Sequence, residues 1–261
     1  MRANCSSICI LTPLVQKPFA VNKSENVAYN KVVEAIKVSE RSENSAHITY
    51  IYNALSEAVR KSGGSEEIFF GEERAAMRII VGEPSKLRAQ LRERIAEVIG
   101  VGYKFRYLDE RLCVSLSKRE KRLLCAALIA ADLEGDKAYI RRKLEKTAEY
   151  SVDGFYTFRL APLREKWDRI IRYVPEGFST SDLKQFCDFL VGESKNKIYL
   201  KGNTVFAENF TPLRLSRLTG EEDLETEIIL SDAGFVYCLG EVEDSVEDFL
   251  QKFYAERAIF S

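Results

Sequence analysis

The sequence predicts an α+β protein that is predominantly helical, with a small α/β layer near its N-terminus, a helical middle and a small C-terminal α/β part. Three observations lead to this. Apolar residues recur at three- and four-residue steps over most of the chain, the spacing of a helix with one buried face. Short runs that alternate apolar and polar residues interrupt that pattern near residues 67–81 and 198–239. Caps, glycines and prolines punctuate the segments where helices should start and stop. A chain of 261 residues is long enough to bury a large core, removing roughly 70–75% of the unfolded surface from water.

Taken in order, residues 1–45 read as a polar, irregular extension. Its apolar octet from Ile8 to Val15 is broken by Pro13 and lacks the uninterrupted run and cleavage site of a signal peptide, and Asn26 to Val38 is expected to form a short helix. Residues 46–150 form the α/β layer and the basic helical middle. Ile48, Ile51, Tyr52, Leu55 and Val59 lie on one face of a helix that ends at Gly63-Gly64. Strands at Glu67–Phe70 and Ala75–Val81 follow, joined through Glu72-Glu73, with Met77, Ile79 and Val81 on one side. Pro84 opens a helix as its first residue; Leu87, Leu91, Ile95 and Val98 make its buried face, and Gly100 and Gly102 stop it. Further helices are expected from Tyr103 to Cys113, from the Ser117–Glu120 capping box through Ala131, and from Lys137 to Glu149.

Residues 151–261 carry a central helix and an acidic α/β part. Asp153 suits an N-cap, its carboxylate accepting from N–H groups of the first turn. The apolar series Phe155, Phe158, Leu163, Trp167, Ile170, Ile171 and Val174 follows, with Trp167 expected in the core. The Pro162 ring clashes with the carbonyl of Phe158, four residues back, so the helix should kink or break between them. Arg159, between large apolar neighbours, should lay its stem on the core with its head in water, or else pair with a carboxylate such as Asp153. Beyond it come a capped helix from Ser179 to Gly192, a hairpin around Gly202-Asn203, a helix from Glu222 to Ser231, a strand from Phe235 to Leu239, and a last helix capped by Asp244 and Glu247.

Charge is abundant and balanced, 39 basic residues against 40 acidic. It is unevenly placed: Pro84–Tyr150 holds 16 basic and 10 acidic residues, a net of +6, and Ser181–Ser261 holds 8 and 16, a net of −8. Such opposition is met most simply if the two parts dock on each other; the other reading is that the basic middle faces an external polyanion. Candidate polyanion contacts are Lys104 and Arg106, interleaved with Tyr103, Phe105 and Tyr107, and Lys118, Arg119, Lys121 and Arg122, joined by Arg141-Arg142-Lys143. The same spacing also fits ordinary amphipathic helices, which is the preferred reading.

No catalytic, cofactor-binding or metal-binding residue set emerges. The lone His47 lies in a polar context, expected at the surface, and cannot by itself supply a triad. Gly100-Val101-Gly102 lacks the third glycine and preceding strand of a dinucleotide fingerprint, and the acidic pairs lack calcium-loop spacing. Six scattered cysteines, Cys5, Cys9, Cys113, Cys125, Cys187 and Cys238, suit reduced thiols in the cytoplasm rather than a disulfide framework. No apolar run reaches the ~20 residues that cross a bilayer.

The residues Asp153-Gly154-Phe155 with Phe158-Arg159-Leu160 resemble the D-G-F-x-x-F-R-L signature of the YtxC-like sporulation protein family of endospore-forming Firmicutes. The likeness in layout extends from near Ile48 to the end of the chain, although Pro162 departs from it. The resemblance implies a sporulation-associated setting and carries no catalytic residues. The expectation is a cytoplasmic, non-catalytic interaction protein whose partners are proteins of unknown identity, with no membrane insertion; the alternative is a nucleic-acid-binding module built on the basic central helices.

Overall fold

The computed structural model describes residues 34–147 and 149–260, and it has the expected class: a predominantly helical α+β fold with two small sheets. The apolar octet at Ile8–Val15, and Cys5 and Cys9, lie outside the described residues.

The first sheet is built on a strand that lies within the stretch expected to be an irregular extension. Strand β1 (Glu34–Arg41) occupies the interior of a sheet of order β2-β3-β1-β4. The helix expected over Asn26–Val38 is therefore a strand from Glu34 onward, and its earlier part lies outside the described residues. Ile36, Val38 and Glu40 alternate onto the buried face, a period of two that the surrounding polar residues obscure in the sequence. Helix α1 (Ser45–Lys61) lies against this sheet, burying Ile48, Ile51, Leu55 and Val59 as its spacing requires. The hairpin β2 (Ser65–Phe70) and β3 (Arg74–Val81) follows, with Ala75, Met77, Ile79 and Val81 buried and β3 antiparallel to β1.

Helix α2 (Pro84–Glu97) does not stop at Gly100 and Gly102. A π-helical turn over Val98–Tyr103 carries it straight into α3 (Lys104–Arg111). The glycines serve close packing instead. A Cβ on Gly100 would come within 3.1 Å of the Leu133 Cδ1, and one on Gly102 within 3.0 Å of both the His47 ring and the Leu218 carbonyl oxygen. Such approaches are tighter than ordinary van der Waals contact, so a side chain at either position would press its neighbour, and glycine suits the packing here without marking a helix end. Helix α4 (Lys118–Ala130) begins at Ser117 with the full reciprocal capping box to Glu120. Helix α5 (Leu133–Leu144) starts earlier and ends earlier than the expected 137–149.

The expected boundary at residues 150/151 falls inside a strand. Tyr150–Ser151 is β4, parallel to β1 through Val38–Tyr150 and Ser39–Ser151. Helices α6 (Val152–Arg159) and α7 (Ala161–Tyr173) are separated at Leu160, as Pro162 demands. The carbonyls left open by the break are taken by Arg164, whose guanidinium donates to Thr157 at 3.1 Å and to Tyr156. Trp167 is fully buried, as expected.

Helix α8 (Thr180–Glu193) carries the Ser179–Asp182 capping box. The second sheet, of order β6-β5-β7-β8, comprises β5 (Asn196–Lys201), β6 (Thr204–Ala207), β7 (Ala233–Cys238) and β8 (Ala258–Phe260). Gly202, with φ of +52°, makes the β5–β6 turn. Strands β5, β7 and β8 run parallel, joined by α9 (Leu224–Leu230) and α10 (Asp244–Phe253). Helix α10 follows Glu243 without a side-chain cap bond, so the expected capping role of Asp244 and Glu247 is not realised. Helix α4 packs on both α8 and α9, which joins the basic middle to the acidic C-terminal part.

Candidate anion-binding cleft

The candidate polyanion contacts named from the sequence are mostly turned inward or neutralised within the chain. Lys104 is 0% exposed, and its ammonium donates to Asp136 Oδ2 at 2.8 Å with Asp132 at 3.7 Å. The α3 spacing explains this: Lys104 shares a face with Leu108, which is also fully buried. Asp136 is itself buried and further accepts from the Trp167 indole N–H at 2.8 Å and from Lys166 at 2.8 Å. Burial opposes its ionisation, but Lys104, Lys166 and the indole donor outweigh burial and hold the carboxyl below the ordinary aspartate range.

The charges on α4 meet the acidic segment directly. Lys118 lies 3.4 Å from Glu221, Arg122 lies 3.3 Å from the same carboxylate, and the Arg119 Nε donates to Glu225 at 2.8 Å. Lys121 pairs within the middle, with Asp109 at 3.4 Å. Arg106 is exposed and donates to Asn44 at 2.7 Å. The docking of the +6 and −8 segments is thus visible across the α4–α9 contact, and these residues do not form an open basic surface.

The signature residues divide in the same way. Asp153 is not the N-cap of α6, a position held by Ser151, and it does not pair with Arg159. It accepts from Arg74 at 2.7 Å and from the Ser151 hydroxyl at 2.9 Å, with Arg41 at 3.5 Å. Burial raises its pKa, yet Arg74, Ser151 and the Gly154 N–H together bring it below the usual value. This pins the start of α6 to β1 and β3. Gly154 permits the fit, since a Cβ there would sit 2.9 Å from the Ser151 hydroxyl. Phe155 and Leu160 are buried. Phe158 is not: it is 81% exposed, against the expectation from its place in the apolar series, because the break at Leu160 turns the last turn of α6 outward. Arg159 beside it is exposed and forms no ion pair among the described residues.

Phe158 and Arg159 stand on one wall of a cleft of about 790 Å³ whose other wall is the solvent face of α5 and the segment after it. That wall presents Tyr139, Arg142, Lys143 and Lys146, spaced i, i+3, i+4 and i+7, while Ile140 and Leu144 point into the core. The Arg142 and Lys143 head groups stand 5.7 and 5.5 Å from the Tyr139 ring centre. Glu149 is the acidic residue in this lining. A second cleft, about 590 Å³, shares Tyr139 and Arg142 and runs along α7 past Lys166 and Arg169. Arg142, Lys143, Lys146, Arg159 and Arg169 make no ion pair among the described residues. Arg142 and Lys143 are legible in the sequence as part of a basic run. Lys146, Arg169 and the outward Phe158 are not, although the helical spacing of Tyr139, Arg142, Lys143 and Lys146 marks a wholly non-core face.

A different polar cluster lies under the first sheet. His47, expected at the surface, is only 4% exposed, with Nδ1 3.3 Å from Glu40 Oε2. The Tyr103 hydroxyl donates to that same oxygen at 2.8 Å, and the Arg41 N–H donates to the other at 2.9 Å. Burial and the Glu40 charge push the Tyr103 pKa far above its normal value, so the phenol stays protonated. The clefts along α5 do not reach these groups, which satisfy one another and hold β1, α1 and the π turn together. Among the described residues no three His, Cys, Asp or Glu side chains gather into a group that could hold a metal ion, and no helix is long and apolar enough to cross a membrane.

The class defined by fold and site is a helix-rich α+β protein with a cationic, aromatic-edged cleft. In comparison with known proteins the chain matches no family model, no curated protein and no solved structure.

Proposed function

We propose that this is a non-catalytic, cytoplasmic interaction protein that holds an anionic partner in the α5–α6 cleft. The observation that carries the reading is the row of cations along that cleft without acidic partners among the described residues, in a chain whose other basic cluster is neutralised internally. Unpaired basic side chains lining a concave surface attract a polyanion and release its counterions on binding. The setting proposed is sporulation, on the likeness of residues 153–160 to the YtxC-like signature.

Inorganic polyphosphate is a suitable probe, with binding followed across a range of salt concentrations. Replacing Arg142, Lys143, Lys146 and Arg159 together by glutamine should abolish binding and leave the circular dichroism spectrum unchanged. The matching replacement of Lys118, Arg119, Lys121 and Arg122 should leave binding at the wild-type level. Failure of the intact protein to bind at low salt, or equal loss in both variants, would overturn the proposal.

A further inference from the structure

Resting on that anion-binding reading, we infer that the cleft takes a single-stranded nucleic acid, with phosphates held along α5 and a base stacked on Phe158. The cations alone would suit any polyanion; the aromatic residue narrows the class. Whereas Phe155 on the same helix is buried, Phe158 leaves 81% of its surface in water. It stands next to Arg159 at the end of α6, so a planar apolar face and a cation are offered together at the rim of one cleft. Across that cleft, Arg142 lies on the last turn of α5 and Lys146 just beyond its end, so cations follow one another along one wall. Tyr139 lies between the two clefts and lines both, so a second ring stands where the strand would continue toward Arg169.

A single strand offers alternating phosphates and exposed base faces, which is the pattern that a basic groove edged with aromatic rings recognises. A duplex keeps its base faces stacked inside, and polyphosphate has none. The second sheet and its acidic neighbours do not contribute cations to the cleft, so the strand would follow α5 and α7.

The test is fluorescence anisotropy of a labelled oligothymidylate about twelve nucleotides long, within the usual site sizes of single-strand binders. A duplex of equal length and inorganic polyphosphate are the competitors. The single strand should bind tighter than the duplex. Phe158→Ala should weaken oligonucleotide binding about tenfold, the loss of one stacked base, while polyphosphate affinity stays unchanged. Phe158→Tyr should restore most of the loss. Arg142→Gln with Lys146→Gln should weaken both ligands and flatten the salt dependence. Because Phe158 is exposed, its removal leaves the core intact, and an unchanged dichroism spectrum verifies this. If duplex or polyphosphate binds as tightly as the single strand, or Phe158→Ala changes nothing, the single-strand inference falls while the anion-binding reading stands. If polyphosphate fails to bind as well, both fall.

Discussion

Replacing Asp136 by alanine tests the buried network that joins α3, α5 and α7. Three donors converge on this carboxylate: Lys104 and the Trp167 indole on one oxygen, each at 2.8 Å, and Lys166 on the other at 2.8 Å. Lys166 is half-buried and keeps Asp132 as a partner. Lys104 is fully buried, and its remaining carboxylate, Asp132, is 3.7 Å away. Removing one partner of a buried ion pair costs about 3–5 kcal/mol, because the other charge is left without compensation. The orphaned indole N–H adds about 1–3 kcal/mol, and Asp132 offsets part of the total. The expected loss is therefore about 4 kcal/mol, set by the stranded ammonium. Urea unfolding read by circular dichroism measures it. A loss below about 1 kcal/mol would refute the reasoning. The combined change of Lys104→Met and Asp136→Leu strands no charge on that pair and should recover at least half of the deficit.

The same site predicts a pH dependence. The folded-state pKa of Asp136 lies below its unfolded value, held there by Lys104, Lys166 and Trp167 against the opposing effect of burial. Its contribution is therefore present above the unfolded value of about 3.9 and is lost as pH falls through the folded one. The stability gap between wild type and the alanine variant should be constant near neutrality and narrow as pH drops below about 4. A gap that stays constant through that range would show that the carboxylate is not charged in the fold.

Two further outcomes follow from packing. With a thiol-selective reagent under native conditions, exposed Cys113 should react at once, whereas Cys125 and Cys187, whose pKa values burial pushes up to about 12, should react only on unfolding; mass spectrometry of labelled peptides reads the order. Gly102→Ala should destabilise by about 1–3 kcal/mol in thermal or urea unfolding, since the new methyl would press on the Leu218 carbonyl and the His47 ring.

Much of the fold is legible in the sequence because burial writes a period into it. The faces of α1, α2 and α4 follow from three- and four-residue spacing, and the break between α6 and α7 follows from the ring of Pro162. Strand β1 was not legible, for a physical reason. Its buried face ends in Glu40, a polar side chain that the interior accepts because His47, Tyr103 and the Arg41 N–H surround it, and all but the last come from other elements. The fate of Gly100 and Gly102 was hidden in the same way. A glycine required for close approach to Leu133 or Leu218 looks, in one dimension, like a glycine that ends a helix.

The candidate site illustrates the limit more sharply. Net charge located an excess of basic residues in the middle of the chain but could not say which of them the acidic segment would reach. The answer depends on α9 packing against α4, so Glu221 and Glu225 neutralise Lys118, Arg119 and Arg122. Among the described residues, helix α5 receives no such cover on its solvent face. Its Arg142 and Lys143, with Lys146 just past its end, look across a cleft toward a segment that adds Arg159, and beyond it Arg169, with Glu149 as the acidic residue of the first lining. Like charges facing each other across a concave surface oppose the folded state and raise the local potential. An anion seated between them relieves both effects at once, and a flat ring at the rim gives that anion a face to stack on. The repulsion is weak in the water-filled cleft, which lets the fold tolerate it, and strongest where the walls approach, which is where a bound phosphate would contribute most.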